Sequence, residues 1–214
     1  ADLSYNTEFI EPGAFTQTLI SSCNIPVPAA SMFNTFNFPR MCAAQFYVIF
    51  SKPDDGTLTE LDVDEQLSFL SSQLYGKVVA LFDPTVKIIS NSAFQGNKFI
   101  YQVLLSPYIE FILQNAFKGC PNLTTLATWQ GMSGVSTIQP NLVYIGKDAF
   151  NGNSNLVSVS LPSSLNDIET GAFLACPNLW KVQLPVRFYY DLFVMYNLYF
   201  ESNMMKNESW KSDA

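Results

Sequence analysis

Histidine is missing from all 214 residues of this sequence. Without an imidazole, the chain cannot assemble a Ser-His or Cys-His nucleophile pair or a histidine-containing metal site. The side chains that could still act as a general acid and base are neighbouring carboxylates, at Asp54, Asp55, Asp62, Asp64 and Glu65. Such charge runs more often belong to a solvated loop and a helix start. An EF-hand alignment on Gly56 fails, because it places Ser51 and Pro53 at the first two ligand positions. We therefore expect no enzyme activity, no metal and no cofactor.

Basic residues are scarce and scattered. The chain has 11 Lys and Arg against 18 Asp and Glu, a net charge of -7. Residues 1–85 hold ten acidic and three basic residues, whereas residues 86–185 hold four acidic and five basic ones. The acidity is therefore concentrated in the first part of the chain. Nucleic acid is not an expected partner, because binding to phosphate backbones requires clustered Lys and Arg.

Long hydrophobic runs are also missing. The longest apolar stretches are too short to cross a bilayer, and no secretory signal is visible in the sequence. We expect no transmembrane span. A mature chain whose signal had been removed would show the same pattern.

Phenylalanine is abundant, and five of the 18 Phe residues follow an Ala in a recurring dipeptide. The dipeptide Ala-Phe occurs five times, at 14–15, 93–94, 116–117, 149–150 and 172–173. In the last four copies an aliphatic residue lies seven positions before the Ala, an Ile lies four before it, and aliphatic residues lie seven and ten after it. Two copies repeat after 23 residues and one after 33, so the longer copy contains a ten-residue insertion at 129–138. This period lies in the leucine-rich-repeat range.

The spacing of the apolar residues predicts a coil with one short strand. Positions seven, ten and twelve after the Ala give the pattern L-x-x-L-x-L, whose last two members alternate as a strand requires. The Ile-x-x-x-Ala-Phe stretch supplies the return segment. A single coil cannot cover its own apolar face, so the coils must stack. We expect parallel strands near 101–105, 124–128, 157–161 and 180–184, with each Ala-Phe buried on the opposite side.

The last copy closely resembles a known repeat. Residues 161–185 read LPSSLNDIETGAFLACPNLWKVQLP, which matches L-P-x-x-L-x-x-I-x-x-x-A-F-x-x-C-x-x-L-x-x-V-x-L-P of the BspA-like leucine-rich repeats of bacterial surface antigens. Asn97 and Asn153 depart from it at the Cys position, and Thr128 departs at the last Leu. The resemblance implies an α/β repeat fold: a right-handed leucine-rich-repeat solenoid with short parallel β-strands and irregular N- and C-terminal capping segments.

The same resemblance implies a function. Members of the family act in adhesion and in contact with host proteins, so we expect a non-catalytic, secreted or cell-surface protein that binds another protein, such as a host or matrix protein. The outward positions of the strands and the insertion form the candidate binding face: Tyr101, Gln102, Thr124, Thr125, Trp129, Met132, Ser158, Ser160, Trp180, Lys181 and Gln183. The alternative is a carbohydrate-binding or carboxylate-dependent hydrolase accessory protein that uses exposed aromatic residues such as Trp129.

The cysteines occupy two different settings. Cys120 and Cys176 fall in the buried small-residue position of the family. They lie two coils apart, which is about 10 Å at a strand spacing of ~4.8 Å, beyond the ~7 Å reach of a disulfide. We expect them to be free thiols. Cys23 and Cys42 could pair in an oxidising compartment, but nothing in the sequence requires it.

The remaining segments suggest a division into three parts: irregular repeats and a cap at 1–85, four repeats at 86–185, and a cap and tail at 186–214. In the first part, Phe46, Val48 and Phe50 alternate like a strand. Leu58-x-x-Leu61-x-Val63 resembles the L-x-x-L-x-L pattern, and Val79 and Leu81 resemble the last two members of another copy. A helix is predicted within the segment 64–76, with Asp62 or Asp64 as its N-cap and Gly76 as the first residue past its end. We expect the aromatic segment 186–200 to cover the last coil, and the alternative is a surface that binds a partner or supports self-association.

Overall fold

A computed structural model describes residues 46–68, 70, 72–128 and 139–190. Eleven strands in these ranges form two parallel sheets. The first, which we call the ladder sheet, has six strands: β1 Phe46–Phe50, β3 Val78–Phe82, β5 Ile100–Leu105, β7 Thr125–Thr128, β9 Ser158–Ser160 and β11 Lys181–Gln183. The second sheet has five strands of two residues each: β2 Thr57–Leu58, β4 Ile88–Ile89, β6 Phe111–Ile112, β8 Tyr144–Ile145 and β10 Asp167–Ile168.

The ladder sheet confirms the predicted solenoid of short parallel strands. Each coil contributes one strand, and each strand pairs in parallel with the strand of the next coil. Val103 pairs with Leu126, Leu126 with Val159, and Val159 with Val182. The residues predicted at the tenth position of the frame therefore lie side by side, the first three buried in the core and Val182 packed against it.

The second sheet was not predicted, because two-residue strands have no alternation to detect. It forms at the Ile four positions before each Ala-Phe. The backbone N–H groups of Leu113, Gly146 and Glu169 donate to the carbonyls of Ile89, Ile112 and Ile145 at 2.8–2.9 Å. The return segment of every described coil is thus tied to the next coil by its backbone as well as by its side chains.

The Ala-Phe dipeptides lie in buried turns, as predicted. The four rings of Phe94, Phe117, Phe150 and Phe173 stack nearly parallel, with centroids 4.7, 5.1 and 5.2 Å apart. Each is at most 2% exposed. Burial of one such ring contributes roughly 1.5–3 kcal/mol to the stability of the fold. The column of rings is therefore a main source of the stability that the core provides.

Two interpretations of the first part are wrong. The helix, α1, spans Glu60–Leu67, because Thr59 forms a capping box with Asp62 and starts the helix earlier than predicted. A separate 3-10 turn, Ser72–Leu74, follows, and Gly76 adopts φ +68°. The Leu58, Leu61 and Val63 pattern is no ladder strand: Leu58 belongs to β2, and Leu61 and Val63 lie on α1, 81% and 1% exposed.

Strands β1 and β3 extend the ladder sheet toward the N-terminal side. The alternation at Phe46, Val48 and Phe50 is confirmed as a strand that pairs with β3. In β3 the predicted phase is shifted by one residue. By register the ladder residues are Val78, Ala80 and Phe82, which belong to the main core cluster, and Ala80 lies beside Val103. Val79 and Leu81 are buried as well but lie outside that cluster. Five consecutive apolar residues leave the phase undefined, and the neighbouring strands decide it.

The C-terminal end of the described chain continues into a 3-10 helix, Val186–Tyr190. Its Phe188 is 4% exposed and belongs to the core cluster, where a capping side chain would lie. Several predictions fall outside the described residues: the first Ala-Phe at 14–15, Cys23 and Cys42, the insertion at 129–138, and the segment from 191 onward. Within the described ranges, no helix has the length and apolar character that a bilayer crossing needs.

The two described cysteines are free and buried, as predicted. The Sγ atoms of Cys120 and Cys176 donate to the carbonyls of Phe94 and Phe150 at 3.0 and 3.2 Å. Burial raises the pKa of the Cys120 thiol to about 12 and that of Cys176 to about 11. Both residues therefore act as core side chains with a weak donor. In the intervening coil Asn153 takes this place, fully buried, and its Oδ1 accepts from the Cys120 N–H at 2.7 Å.

Candidate functional site

The outer face of the ladder sheet brings most of the predicted binding residues together. The register aligns Gln102, Thr125, Ser158 and Lys181 in one row across β5, β7, β9 and β11. Ser160 and Gln183 pair in the same way near the end of the last two strands. None of these six side chains is buried, so they form a continuous accessible strip.

Hydrogen bonds hold part of this strip in place. Both the N–H and the Oγ1 of Thr124 lie within hydrogen-bond distance of the Tyr101 carbonyl, at 2.9 and 3.0 Å. The Ser160 hydroxyl donates to Oε1 of Gln183 at 3.2 Å. These bonds fix the side chains before any partner binds, which lowers the entropy that binding must overcome.

The side chains of the strip differ in size in a regular way. Strands β7 and β9 present Thr125, Ala127, Ser158 and Ser160, whereas the flanking strands β5 and β11 present larger residues. Since parallel strands lie ~4.8 Å apart, three steps separate β5 from β11 by about 14 Å. The face is a shallow trough with a floor of small residues.

Two aromatic residues border the trough. Tyr101 precedes the outward row on β5 and is partly exposed, and Trp180 precedes β11 and is 55% exposed. Large aromatic side chains with a polar atom are enriched among the residues that dominate binding energy at protein interfaces. Trp129 and Met132, the two candidates from the insertion, lie outside the described residues and stay predictions.

Some of the carboxylates that an enzyme would need have structural roles. Asp62 completes the capping box and pairs with Lys52 at 2.9 Å. Burial tends to raise the pKa of Asp62, but hydrogen bonds from Thr59 and Lys52 outweigh it and lower that pKa below its usual value. The carboxylate of Asp55 accepts from the Thr57 N–H at 2.9 Å. Among the residues that the structure describes, no cluster of Cys, Asp and Glu could hold a metal ion.

Sequence reasoning missed a second set of outward residues. The first residue of each strand in the second sheet points away from the core, and these residues are Thr57, Ile88, Phe111, Tyr144 and Asp167. In four of the strands they lie five positions before the Ala of each Ala-Phe, so the repeat period itself contained the signal. Their alternation could not be seen, because the strands are too short.

Stacked coils with one parallel strand per coil in each of two sheets define a repeat solenoid of the leucine-rich class. The model of the BspA type leucine rich repeat region matches residues 79–137 and 134–191, with six copies, more than half of the chain. The chain therefore belongs to the BspA-type leucine-rich-repeat family.

Two solved structures resemble parts of the chain. A leucine-rich repeat protein from Bacteroides ovatus has 15% sequence identity and a TM-score of 0.36 over 65% of this chain and 25% of its own. The leucine-rich repeat protein of T. pallidum has 29% identity and a TM-score of 0.35 over 51% of this chain and 59% of its own. The chain thus spans less than two thirds of the length of either protein. No curated protein matches it significantly.

Proposed function

We propose that this chain is a non-catalytic module of a secreted or cell-surface protein and that it binds a host or matrix protein through the outer face of the ladder sheet. Membership of the leucine-rich-repeat family supports protein binding, since these repeats typically bind proteins and typically lack catalytic activity. The family is also typically secreted or attached to the cell surface.

The choice of the outer face of the ladder sheet as the binding site rests on one observation. The trough between β5 and β11 combines a floor of small neutral side chains with a border that includes the exposed Trp180. Lys181 is the charged residue of its central row, so little charge must be desolvated when a protein covers it. Neutral hydroxyl and amide groups then supply hydrogen bonds, and the aromatic residues supply apolar area.

The test uses biolayer interferometry with the purified chain against a panel of purified extracellular matrix proteins. For a panel member that binds, Trp180→Ala is expected to weaken binding tenfold or more, about 1.4 kcal/mol. The matched control is Leu61→Ala, since Leu61 is another large apolar side chain that is mostly exposed, on α1 and away from the trough. Its expected effect is less than twofold.

A second variant tests the floor of the trough. Thr125→Glu places a charge and a longer side chain on β7, which should block a partner that covers the small residues. If both Trp180→Ala and Thr125→Glu bind as wild type does, the ladder face is not the binding site. If no member of the panel binds, the proposed host-protein class is wrong.

A further inference from the structure

The second sheet has an outer face of its own, separate from the ladder face. Its outward residues Thr57, Ile88, Phe111, Tyr144 and Asp167 line up in register across the five strands. We call this line the outer row. All five residues are accessible to solvent to some degree. After Thr57 the row changes along its length from aliphatic to aromatic to acidic.

Two aromatic rings occupy adjacent places in the outer row. The centroids of Phe111 and Tyr144 lie 6.3 Å apart, and their planes are tilted by 50°. The face of an aromatic ring has a negative electrostatic potential, which attracts a cationic group within about 6 Å of its centre. The pair therefore offers a site for a positively charged, flat side chain.

Two carboxylates lie beside the Tyr144 ring. The Tyr144 hydroxyl donates to Oε1 of Glu169 at 2.6 Å. This hydrogen bond, together with burial and the charges of Glu169 and Asp167, raises the pKa of Tyr144 to about 12. Both carboxylates are thus near the hydroxyl, and the tyrosine stays neutral under ordinary conditions.

Two cations of the repeat coils, Lys87 and Arg187, contact other groups. The Lys87 ammonium lies over the Tyr108 ring, 4.8 Å from its centroid. The guanidinium of Arg187 donates to Oδ1 of Asn166 and to the Ser163 carbonyl, at 2.6 Å each. In the described ranges, ion pairs within 4.0 Å join only Lys52 with Asp62 and Lys118 with Asp148. Asp167 and Glu169 therefore carry negative charge that no described cation pairs.

We propose that the outer row binds an arginine-bearing segment of a partner protein, with the guanidinium stacked on the Phe111 and Tyr144 rings and paired with Asp167 and Glu169. The charges of the two surfaces are then complementary. Arginine fits better than lysine, because its planar group stacks on rings while it donates two parallel hydrogen bonds to a carboxylate. This surface is independent of the ladder face, and neither proposal depends on the other.

The test measures fluorescence anisotropy of a fluorescein-labelled hexaarginine peptide titrated with the purified chain. Asp167→Asn combined with Glu169→Gln is expected to weaken binding tenfold or more. The matched control is Asp64→Asn combined with Glu65→Gln, which removes the same net charge from exposed positions on α1. It should change binding less than twofold. Asp167→Asn alone, which keeps the hydrogen bond between Tyr144 and Glu169, should weaken binding by an intermediate factor.

A labelled hexalysine peptide and the variant Phe111→Leu test the stacking. Hexalysine is expected to bind several-fold more weakly than hexaarginine, and Phe111→Leu, which keeps an apolar side chain but removes the ring, should reduce that difference. Failure of hexaarginine to bind the wild-type chain overturns the proposal, as does equal weakening by the two double variants, which would indicate diffuse attraction to an acidic protein. An unchanged preference for arginine in Phe111→Leu would overturn stacking on that ring.

Discussion

Two residues in each described coil adopt a left-handed backbone conformation around the Ala-Phe dipeptide. The residue before the Ala does so as Ser92, Asn115, Asp148 and Gly171, with φ between +54° and +72°. The third residue after the Ala does so as Gly96, Gly119, Gly152 and Ala175, with φ between +53° and +76°. A β-carbon makes this conformation unfavourable by about 1–2 kcal/mol. The turn that buries each Phe ring therefore requires unusual backbone angles, which glycine adopts most easily.

Ala175 is the one residue with a β-carbon among the four that lie three positions after the Ala, and its backbone strain leads to a prediction. Ala175→Gly should stabilise the protein by about 0.5–1 kcal/mol, because relief of the strain exceeds the greater entropy of glycine in the unfolded chain. Urea unfolding followed by circular dichroism measures the change. The matched control is Gly119→Ala, where an added Cβ would meet no atom within 4 Å. It should destabilise through backbone strain alone, and a loss of stability in Ala175→Gly would contradict this account.

At this scale the sequence predicted which side chains are buried but not which backbone angles carry them. The Ala and Phe of each dipeptide were placed correctly in the core. The left-handed positions follow a visible signal, since three of the four coils have Gly at the same place in the frame. Ala175 hides that signal in the last coil, where only the stacking of one turn on the next imposes the angle.

The elements that join the coils are the ladder strands, the second sheet and the column of Phe rings. The ring column is continuous over the four coils, and backbone hydrogen bonds of 2.7 Å run from the N–H groups of Phe94, Phe117 and Phe150 to the Ala carbonyl of the next coil. Side-chain stacking and backbone bonding thus follow the same path. A defect in one ring acts first on the coils that touch it.

This arrangement predicts the effect of removing the last described ring. Phe173→Ala should cost about 3–5 kcal/mol, as large core truncations do. Amide hydrogen exchange should rise most in β10 and β11 and least in β3 and β5, since repeat coils contact mainly their neighbours. The control Trp180→Ala removes a side chain that is 55% exposed, and its cost should stay near 0.5 kcal/mol apart from any loss of binding. A uniform rise of exchange along the chain would contradict the nearest-neighbour picture.

Element prediction succeeded where the pattern was long enough to define a face. The ladder strands followed from three spaced aliphatic residues. The helix start was missed, because Thr59 and Asp62 satisfy each other in a capping box that precedes the predicted N-cap. The phase of β3 was missed because each of its five residues is apolar.

The stacking of the coils buries both cysteines that lie in the described part of the chain. Cys120 and Cys176 are fully buried, in coils separated by the one that contains Asn153. Because burial raises both thiol pKa values, to about 12 and about 11, little reactive thiolate forms in the native state near neutral pH. Reaction with a thiol reagent must then await opening of the solenoid.

Thiol labelling therefore reports the opening of the repeat array. In a Cys23→Ser and Cys42→Ser background, we expect native Cys120 and Cys176 to react slowly with DTNB at about pH 8 and at once after unfolding in guanidinium. Cys176 should react faster than Cys120, because it belongs to the last coil and terminal coils open at lower free energy. Labelled peptides identified by mass spectrometry separate the two sites. Immediate labelling of either cysteine in the native protein would contradict the described burial.

The sequence by itself determined the repeat, its period, the parallel ladder strands and the family, because each depends on apolar residues at regular spacing that recur in every coil. Only the tertiary structure decided the second sheet, the start of α1 and the phase of β3, because these depend on hydrogen bonds and register between coils. The same holds for the outer row of the second sheet, whereas the outward residues of the ladder strands followed from their alternation. A residue such as Tyr144 or Trp180 gains its surroundings from neighbours 23 or 33 positions away, which the stacking of coils brings together and local sequence does not encode.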